Sequence, residues 1–388
     1  MIIAKKSVIF ILLNVFFIYF SIMMLISYLP PFLDNMGIGS PIKTLTITIF
    51  MSTFFIFPPF LGKYSDRLQN RIYFILLGTV GMLFMLILLL FAGNIIILNI
   101  ELFILGFFTS FLTIYLTLYS ELVQNDTRWI SYYNAVCAIG WFLGVVIGGL
   151  WIDLFKIETI IIFSLIILLM GIIFVIFIKE NRQAILSANK ILFENNNREV
   201  IMSDDNISQS IFYSIFFRNF GIIPILNVLY SIMEPHISSN SEIGMLVGIN
   251  PLMQFFLMLL IGKFLTQKNI KIFLISGYVL TVIVILGYII SNNFWSFFIF
   301  QVMVSLSYSM FWMATIVYIA QNSTPINKGL FMGYANTSLF AGTTIGGLFF
   351  SLLLVIFDSN YYISMAFMTM FPVVSMLIIF LLFRLPKK

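Results

Sequence analysis

The sequence predicts an all-α polytopic membrane protein, twelve transmembrane helices arranged as two six-helix pseudo-repeats. Apolar residues are 61% of the 388, charged ones 9%, and mean hydropathy is +1.09, more apolar surface than a soluble chain of this length can keep from water. The apolar residues fall into twelve runs, each close to the roughly 20 helical residues that cross a bilayer core of about 30 Å. Six runs precede the one long polar segment and six follow it. No ten-residue stretch alternates with period two, which argues against a β-barrel.

In order, the runs lie near residues 8–29, 42–61, 72–92, 97–118, 132–152 and 159–178, then 209–233, 243–262, 272–290, 294–319, 331–354 and 361–383. They are called spans 1 to 12 below. Span 1 lacks a small-residue cleavage site and is long enough to cross, so it reads as a retained signal anchor. Pro30 and Pro31, Asn292 and Asn293, and the stretch from Asp358 to Asn360 mark turns. Residues 1–178 form a first bundle and 209–388 a second. Residues 179–208, rich in Asn and charge, read as a linker, because 30 polar residues cannot bury a core.

Charge orients the chain. With both termini cytoplasmic, 17 of the 20 Lys and Arg residues fall on the inner side, leaving Lys43 and Lys156 outside and Arg218 within span 7. The expected setting is the plasma membrane, with the lipid bilayer as partner and no nucleic acid. One cysteine, Cys137, and one histidine, His236, exclude an internal disulfide and a multi-His or multi-Cys metal cage. No cofactor is expected, and a monomer is.

The polar stretch GKYSDRLQNR, Gly62 to Arg71, reads as a loop after span 2 and returns 200 residues later: Gly62, Lys63, Arg71, Ile72 and Ile75 match Gly262, Lys263, Lys271, Ile272 and Ile275. Arg128 pairs with Lys328 at the same offset. Gly144, Gly148 and Gly149 pair with Gly342, Gly346 and Gly347 at an offset of 198. An internal repeat in a membrane chain is the sign of a carrier built from related halves.

On these residues the chain resembles the major facilitator superfamily. Gly62, Asp66, Arg67 and Arg71 stand at matching positions of that family's signature after span 2, with Tyr64, Gln69 and Asn70 departing from it. Span 5 is similar to the family's exporter motif at Gly140, Gly144, Gly148 and Gly149, with Val145 in place of the proline. The resemblance implies alternating access between two halves, and a cytoplasmic gate made by Gly62, Asp66, Arg67, Arg71 and Arg128. Asp66 is expected at the amino end of span 11, near Met332 and Gly333, where free N–H groups favour an anion.

The residues suggest where a small-molecule substrate would sit. Arg218, a cation within a span, is costly unless it faces water or a partner, about 2.5–3.5 kcal/mol on insertion scales; Asn219 adjoins it, and Gly221 and Pro224 weaken its helix. In span 10, Gln301, Ser305, Tyr308, Trp312 and Thr315 share one helical face. Asn14, Ser21 and Tyr28 in span 1, Thr109, Thr113 and Thr117 in span 4, and Asn250 and Gln254 in span 8 complete a polar lining. Interhelical hydrogen bonding explains such residues singly almost as well. Glu101, four residues into span 4, is the candidate for proton coupling. The glycines Gly140, Gly144, Gly148, Gly342 and Gly346 permit close helix packing.

The expected function is secondary active transport of a small solute, proton-coupled, and export of amphipathic compounds in one reading. A uniporter or symporter for sugar-like or anionic solutes is the alternative, and a non-transporting receptor or scaffold with this fold is another. An enzyme is disfavoured: there is no HExxH pair, no GxSxG elbow and no nucleotide P-loop. Thr266 stands at the Asp66 position of the second copy, so one charged latch is expected. Transport assays should show Asp66→Asn reducing flux more than Thr266→Ala; equal small effects would remove the gating role.

Overall fold

The computed structural model describes residues 2–68, 71–123, 127–178, 207–322 and 328–383. The linker expected at 179–208 therefore falls, apart from its last two residues, outside the described residues. All regular structure among them is helical. Ten helices are long and apolar enough to cross a membrane, and Thr159–Val175 is a shorter apolar one. Span 7 is made of Ser210–Asn227 and Leu229–Met233. The twelve expected spans are thus present, in order.

Several spans overrun their apolar runs, because helical hydrogen bonding continues past the hydrocarbon. Span 5 begins at Thr127, span 8 covers Asn240–Phe264 and span 11 covers Lys328–Ile356. Other spans break. Span 1 consists of Ile2–Ser27 and Leu29–Asn35, parting just before Pro30 and Pro31. Span 2 consists of Ser40–Ile56 and Pro58–Leu68, parting at Phe57 before Pro58 and Pro59. A proline lacks the N–H that would bond four residues back, and its ring crowds that carbonyl.

The polar stretch after span 2 differs from expectation. Gly62 to Leu68 are helical, and a new helix, Arg71–Leu89, starts at Arg71. Nothing from Gly62 to Leu68 stops a helix whose polar face meets water, so the stretch extends span 2 rather than looping. Arg71 is buried, and its Nη1 donates to Ser65 Oγ at 3.1 Å, bracing the corner between the two helices.

The internal repeat is visible in the backbone. Tyr28 (φ −105°, ψ 8°) and Val228 (φ −111°, ψ 16°) interrupt spans 1 and 7 in nearly one conformation, 200 residues apart. Spans 2 and 8 start at Ser40 and Asn240, again 200 apart. For spans 5 and 11 the register expected from sequence is wrong. Gly140 and Gly144 lie against the carbonyls of Phe16 and Phe20 in span 1, while Gly342 and Gly346 lie against those of Phe216 and Phe220 in span 7. Gly140 therefore pairs with Gly342 and Gly144 with Gly346, an offset of 202, not 198. Each of these spans is one unbroken helix, so the same offset pairs Arg128 with Leu330, not Lys328. A string of glycines matches itself about as well one turn away; only the partner carbonyls select the register.

Within the first half span 1 packs on spans 5 and 6, and within the second half span 7 packs on spans 11 and 12. Span 5 packs on span 8, and span 2 on span 11, across the halves. A β-carbon at Gly144 would lie 2.5 Å from the backbone oxygen of Phe20, whereas one at Gly62 would meet nothing within 4 Å. Gly144→Ala is accordingly expected to destabilise the first half by about 1–3 kcal/mol through overpacking, and Gly62→Ala to leave stability unchanged. Thermal unfolding of the purified protein in detergent measures both, and equal midpoints would refute the close-packing account.

Candidate functional site

The two halves are joined most visibly at the face opposite the chain termini. Asp153, near the end of span 5, accepts hydrogen bonds from the backbone N–H of Asn240 (3.0 Å) and Ser241 (2.8 Å). It also accepts from Asn240 Nδ2 (2.8 Å) and Ser239 Oγ (3.0 Å). The first N–H groups of a helix have no partner within it and carry a positive partial charge. A carboxylate from one half thus caps the first turn of span 8 in the other. Beside it, Lys43 is 4% exposed and donates to Asp34 of span 1 and to Ser231 Oγ of span 7 at 3.5 Å. Glu234 follows span 7 in the same cluster. Burial and the neighbouring Asp34 carboxylate push its carboxyl above the ordinary range, while Lys43 pulls it down. Tyr28 donates to Val145 O at 2.7 Å and its ring meets that of Tyr230, while Ser351 Oγ donates to Pro41 O at 2.7 Å.

The deepest ring contact across the seam, the stacked pair Phe54 and Phe340, lies midway along spans 2 and 11. Closer to the termini face, on the same two spans, a β-carbon at Gly62 or Gly333 would have nothing within 4 Å. Asp66 and Arg128 are helical there, and their side chains lie outside the described residues; Arg67 is exposed. Span 11 begins at Lys328, so its free N–H groups precede Met332 and Gly333, which lie a turn further in.

Arg218 is fully buried. Its Nε donates to Thr281 Oγ1 at 3.2 Å, Nη1 to Asn219 Oδ1 at 3.2 Å and Nη2 to Ser307 Oγ at 3.4 Å. The guanidinium lies 4.2 Å from the centroid of the Phe311 ring and 5.5 Å from that of Tyr308. The cation is therefore neither snorkelled to a surface nor in one of the ion pairs among the described residues. Hydroxyl and amide dipoles and two ring faces offset its desolvation, between spans 7, 9 and 10. Tyr308 stands over it.

The other predicted residues divide. Asn14 Nδ2 donates to Gly171 O (2.8 Å) and Ser21 Oγ to Ser164 O (2.7 Å), both fastening span 1 to span 6. Thr109 and Thr113 bond carbonyls of their own span, at Leu105 and Ser110. Ser305 Oγ reaches Asn250 O and Oδ1 (both 3.1 Å), and Gln254 Nε2 donates to Asn250 Oδ1 (2.7 Å). Gln301 is buried, and its Oε1 has no hydrogen-bond partner. Of the span 10 stripe, Tyr308 and Trp312 remain partly open and stack at 6.2 Å, while Gln301, Ser305 and Thr315 are buried. Glu101 lies on the flank of span 4, partly covered, with Oε2 buried and unpartnered. Asp153, Lys43 and Tyr19 were missed from sequence. Sequence reads Lys43 only as an external charge and gives no signal for Asp153, which packing brings to the start of span 8 from 87 residues away.

No curated protein matches this sequence. A family model described as Major Facilitator Superfamily matches residues 11–204 and 206–388. Among solved structures, the nucleoside transporter NupG superposes with a TM-score of 0.75 at 12% identity, covering 97% of this chain and 100% of that one. A D-xylose-proton symporter gives 0.76 at 11%, over 99% and 98%. A POT family transporter in complex with 5-aminolevulinic acid gives 0.76 at 11%, over 96% and 95%. At such identity the likeness is one of fold.

Asp153→Asn keeps the shape but loses the charge that four donors share. After solvent screening the loss is about 1 kcal/mol, so the closed far face should become several-fold less populated. A cysteine placed beneath the seam and labelled by an impermeant thiol reagent from the far side measures this; an unchanged labelling rate would show that the cap does not hold the seam.

Proposed function

The chain belongs to the major facilitator superfamily of membrane transporters, and from that premise we propose a proton-coupled secondary transporter that moves a small solute by alternating access. The observation that carries the reading is the seam itself. Among the described residues, polar contacts between the halves gather at the face away from the termini, while Gly62 and Gly333 on the other side have open space around them. This is the arrangement of a carrier sealed outward and parted inward, with the termini in the cytoplasm of a multi-pass plasma-membrane protein. In the opposite state Asp66 would cap span 11 as Asp153 caps span 8, assisted by Arg67, Arg71 and Arg128.

The solute is proposed to pass Tyr19, Tyr308 and Trp312, the semi-exposed aromatic groups of spans 1 and 10. Spans 1 and 10 carry no charged residue from Ser7 to Leu33 or from Phe294 to Asn322, and Arg218 is sealed beneath Tyr308. This favours a neutral amphipathic solute over an anion.

Coupling is proposed at Glu234 as well as at Glu101. Glu234 sits on the seam, so its surroundings change whenever the halves part, whereas Glu101 lies on the flank of one half. Partial desolvation and Asp34 raise its carboxyl in the closed state, so it binds a proton more readily there than when the halves part. Closing the far face then takes up a proton, and its advantage is present at low pH and fades as pH rises through the raised value.

Purified protein in liposomes, given a panel of neutral, cationic and anionic solutes, should show flux that a proton gradient accelerates. Glu234→Gln should remove the gradient dependence and leave downhill flux. Flux indifferent to the gradient would sink proton coupling, retention of it in Glu234→Gln with loss in Glu101→Gln would move the coupling to span 4, and no flux would favour the receptor reading.

A further inference from the structure

The corrected register of the repeat exposes a pair that the apolar runs hide. At an offset of 202, Tyr132 and Asn134 of span 5 coincide with Tyr334 and Asn336 of span 11. All four are exposed, and Asn336 Nδ2 donates to Met332 O at 3.2 Å within its own helix. Asn134 lies seven residues after Thr127 and Asn336 eight after Lys328, about 10–12 Å from the helix starts at 1.5 Å per residue.

Contacts along each helix fix which way these residues face. In span 5, Gly140 and Gly144 touch span 1, while Val145 and Gly149 meet Gly244 and Asn240 of span 8. Taking Gly140 as zero and about 100° per residue, the first face centres near 20° and the second near 160°, placing Asn134 at about 120° and Tyr132 at about 280°. Asn134 therefore faces the gap between its own half's span 1 and the other half's span 8. In span 11, Gly342 and Gly346 touch span 7, while Gly347 and Phe340 meet Thr48 and Phe54 of span 2. Asn336 occupies the same angular position between them. Both tyrosines turn away from these gaps, Tyr132 beside Trp129 and Tyr334 beside Phe212 and Phe331.

An amide on a surface that opens between two halves is a hydrogen-bonding group that no helix packing requires. It offers one acceptor and two donors without charge. Between Trp129 and Ile152, and between Gly329 and Phe357, spans 5 and 11 carry no charged residue. We propose that Asn134 and Asn336 form a pseudo-twofold subsite on the inner side of the transport route, which grips the uncharged polar group of a neutral amphipathic solute, an amide or hydroxyl beside an aromatic or apolar body. This rests on the carrier reading for its role in transport but not for binding. Two amides on opposite halves draw together as the inner side closes, so one solute can be held by both in the intermediate state.

The test uses the full chain with Cys137→Ser as thiol-free background, and Asn134→Cys, Asn336→Cys and, as control on the face away from the gap, Tyr132→Cys. The probes are N-acetyltyrosinamide, neutral, and N-acetyltyrosine, its carboxylate counterpart. An impermeant maleimide applied from the termini side should label the first two variants, and the neutral probe should slow both at least several-fold while the carboxylate does not and the control is unaffected. Failure of the maleimide to reach either thiol, labelling indifferent to the neutral probe, or equal protection by the carboxylate would each overturn the subsite. In the background protein with both asparagines present, Asn134→Ala and Asn336→Ala should each weaken binding of N-acetyltyrosinamide about fivefold, near 1 kcal/mol for one hydrogen bond. Binding with no flux in liposomes would keep the subsite and remove the carrier reading. Flux without probe protection would do the reverse.

Discussion

The carboxylate of Asp153 on the first turn of span 8 is the contact on which the observed state depends. It joins the two halves with a group at the membrane edge rather than in the hydrocarbon. That location sets its strength. A charge-assisted bond to a helix terminus is substantial in a dry setting, yet solvent at the edge screens it, leaving an interaction that thermal motion can break. A gate must be weak enough to open, and a screened cap meets that requirement better than a buried ion pair would.

Contacts inside each half are of another kind. Gly140 and Gly144 bring span 5 onto the backbone of span 1, and Gly342 and Gly346 bring span 11 onto that of span 7. Close backbone approach maximises dispersion contacts where lipid offers no hydrophobic drive. Asn14 and Ser21 add hydrogen bonds from span 1 to span 6, and Arg218 ties span 7 to spans 9 and 10. The seam combines both kinds, the screened cap at its edge and close glycine packing of span 5 on span 8 and of span 11 on span 2.

Arg218 illustrates how a residue conspicuous in sequence can serve the scaffold. Its charge is spread over Thr281, Ser307, Asn219 and the faces of Phe311 and Tyr308, so it holds three spans together instead of presenting itself to solute. Tyr308 then forms the boundary between the buried cation and the route. The proposed route is thereby lined by aromatic and amide groups, with the charge of Arg218 set behind it.

The number and order of the spans were legible from the sequence because bilayer thickness and the cost of unpaired backbone groups allow few alternatives to apolar helices of this length. The two-half plan was legible too, since a repeat 200 residues long survives in the charges and breaks at Gly62, Tyr28 and their counterparts. Sequence did not decide which polar residues face a partner helix and which face the route: Asn14 and Asn134 are both asparagines within an apolar run, and only the neighbouring carbonyl of Gly171 claims the first. Nor did it decide the register of a glycine stripe, which repeats every turn until Phe16 and Phe20 select one position. Asp34 and Lys43 lie far from Asp153 and Glu234 in the chain, and the four come together only where tertiary packing brings the span ends of two halves together.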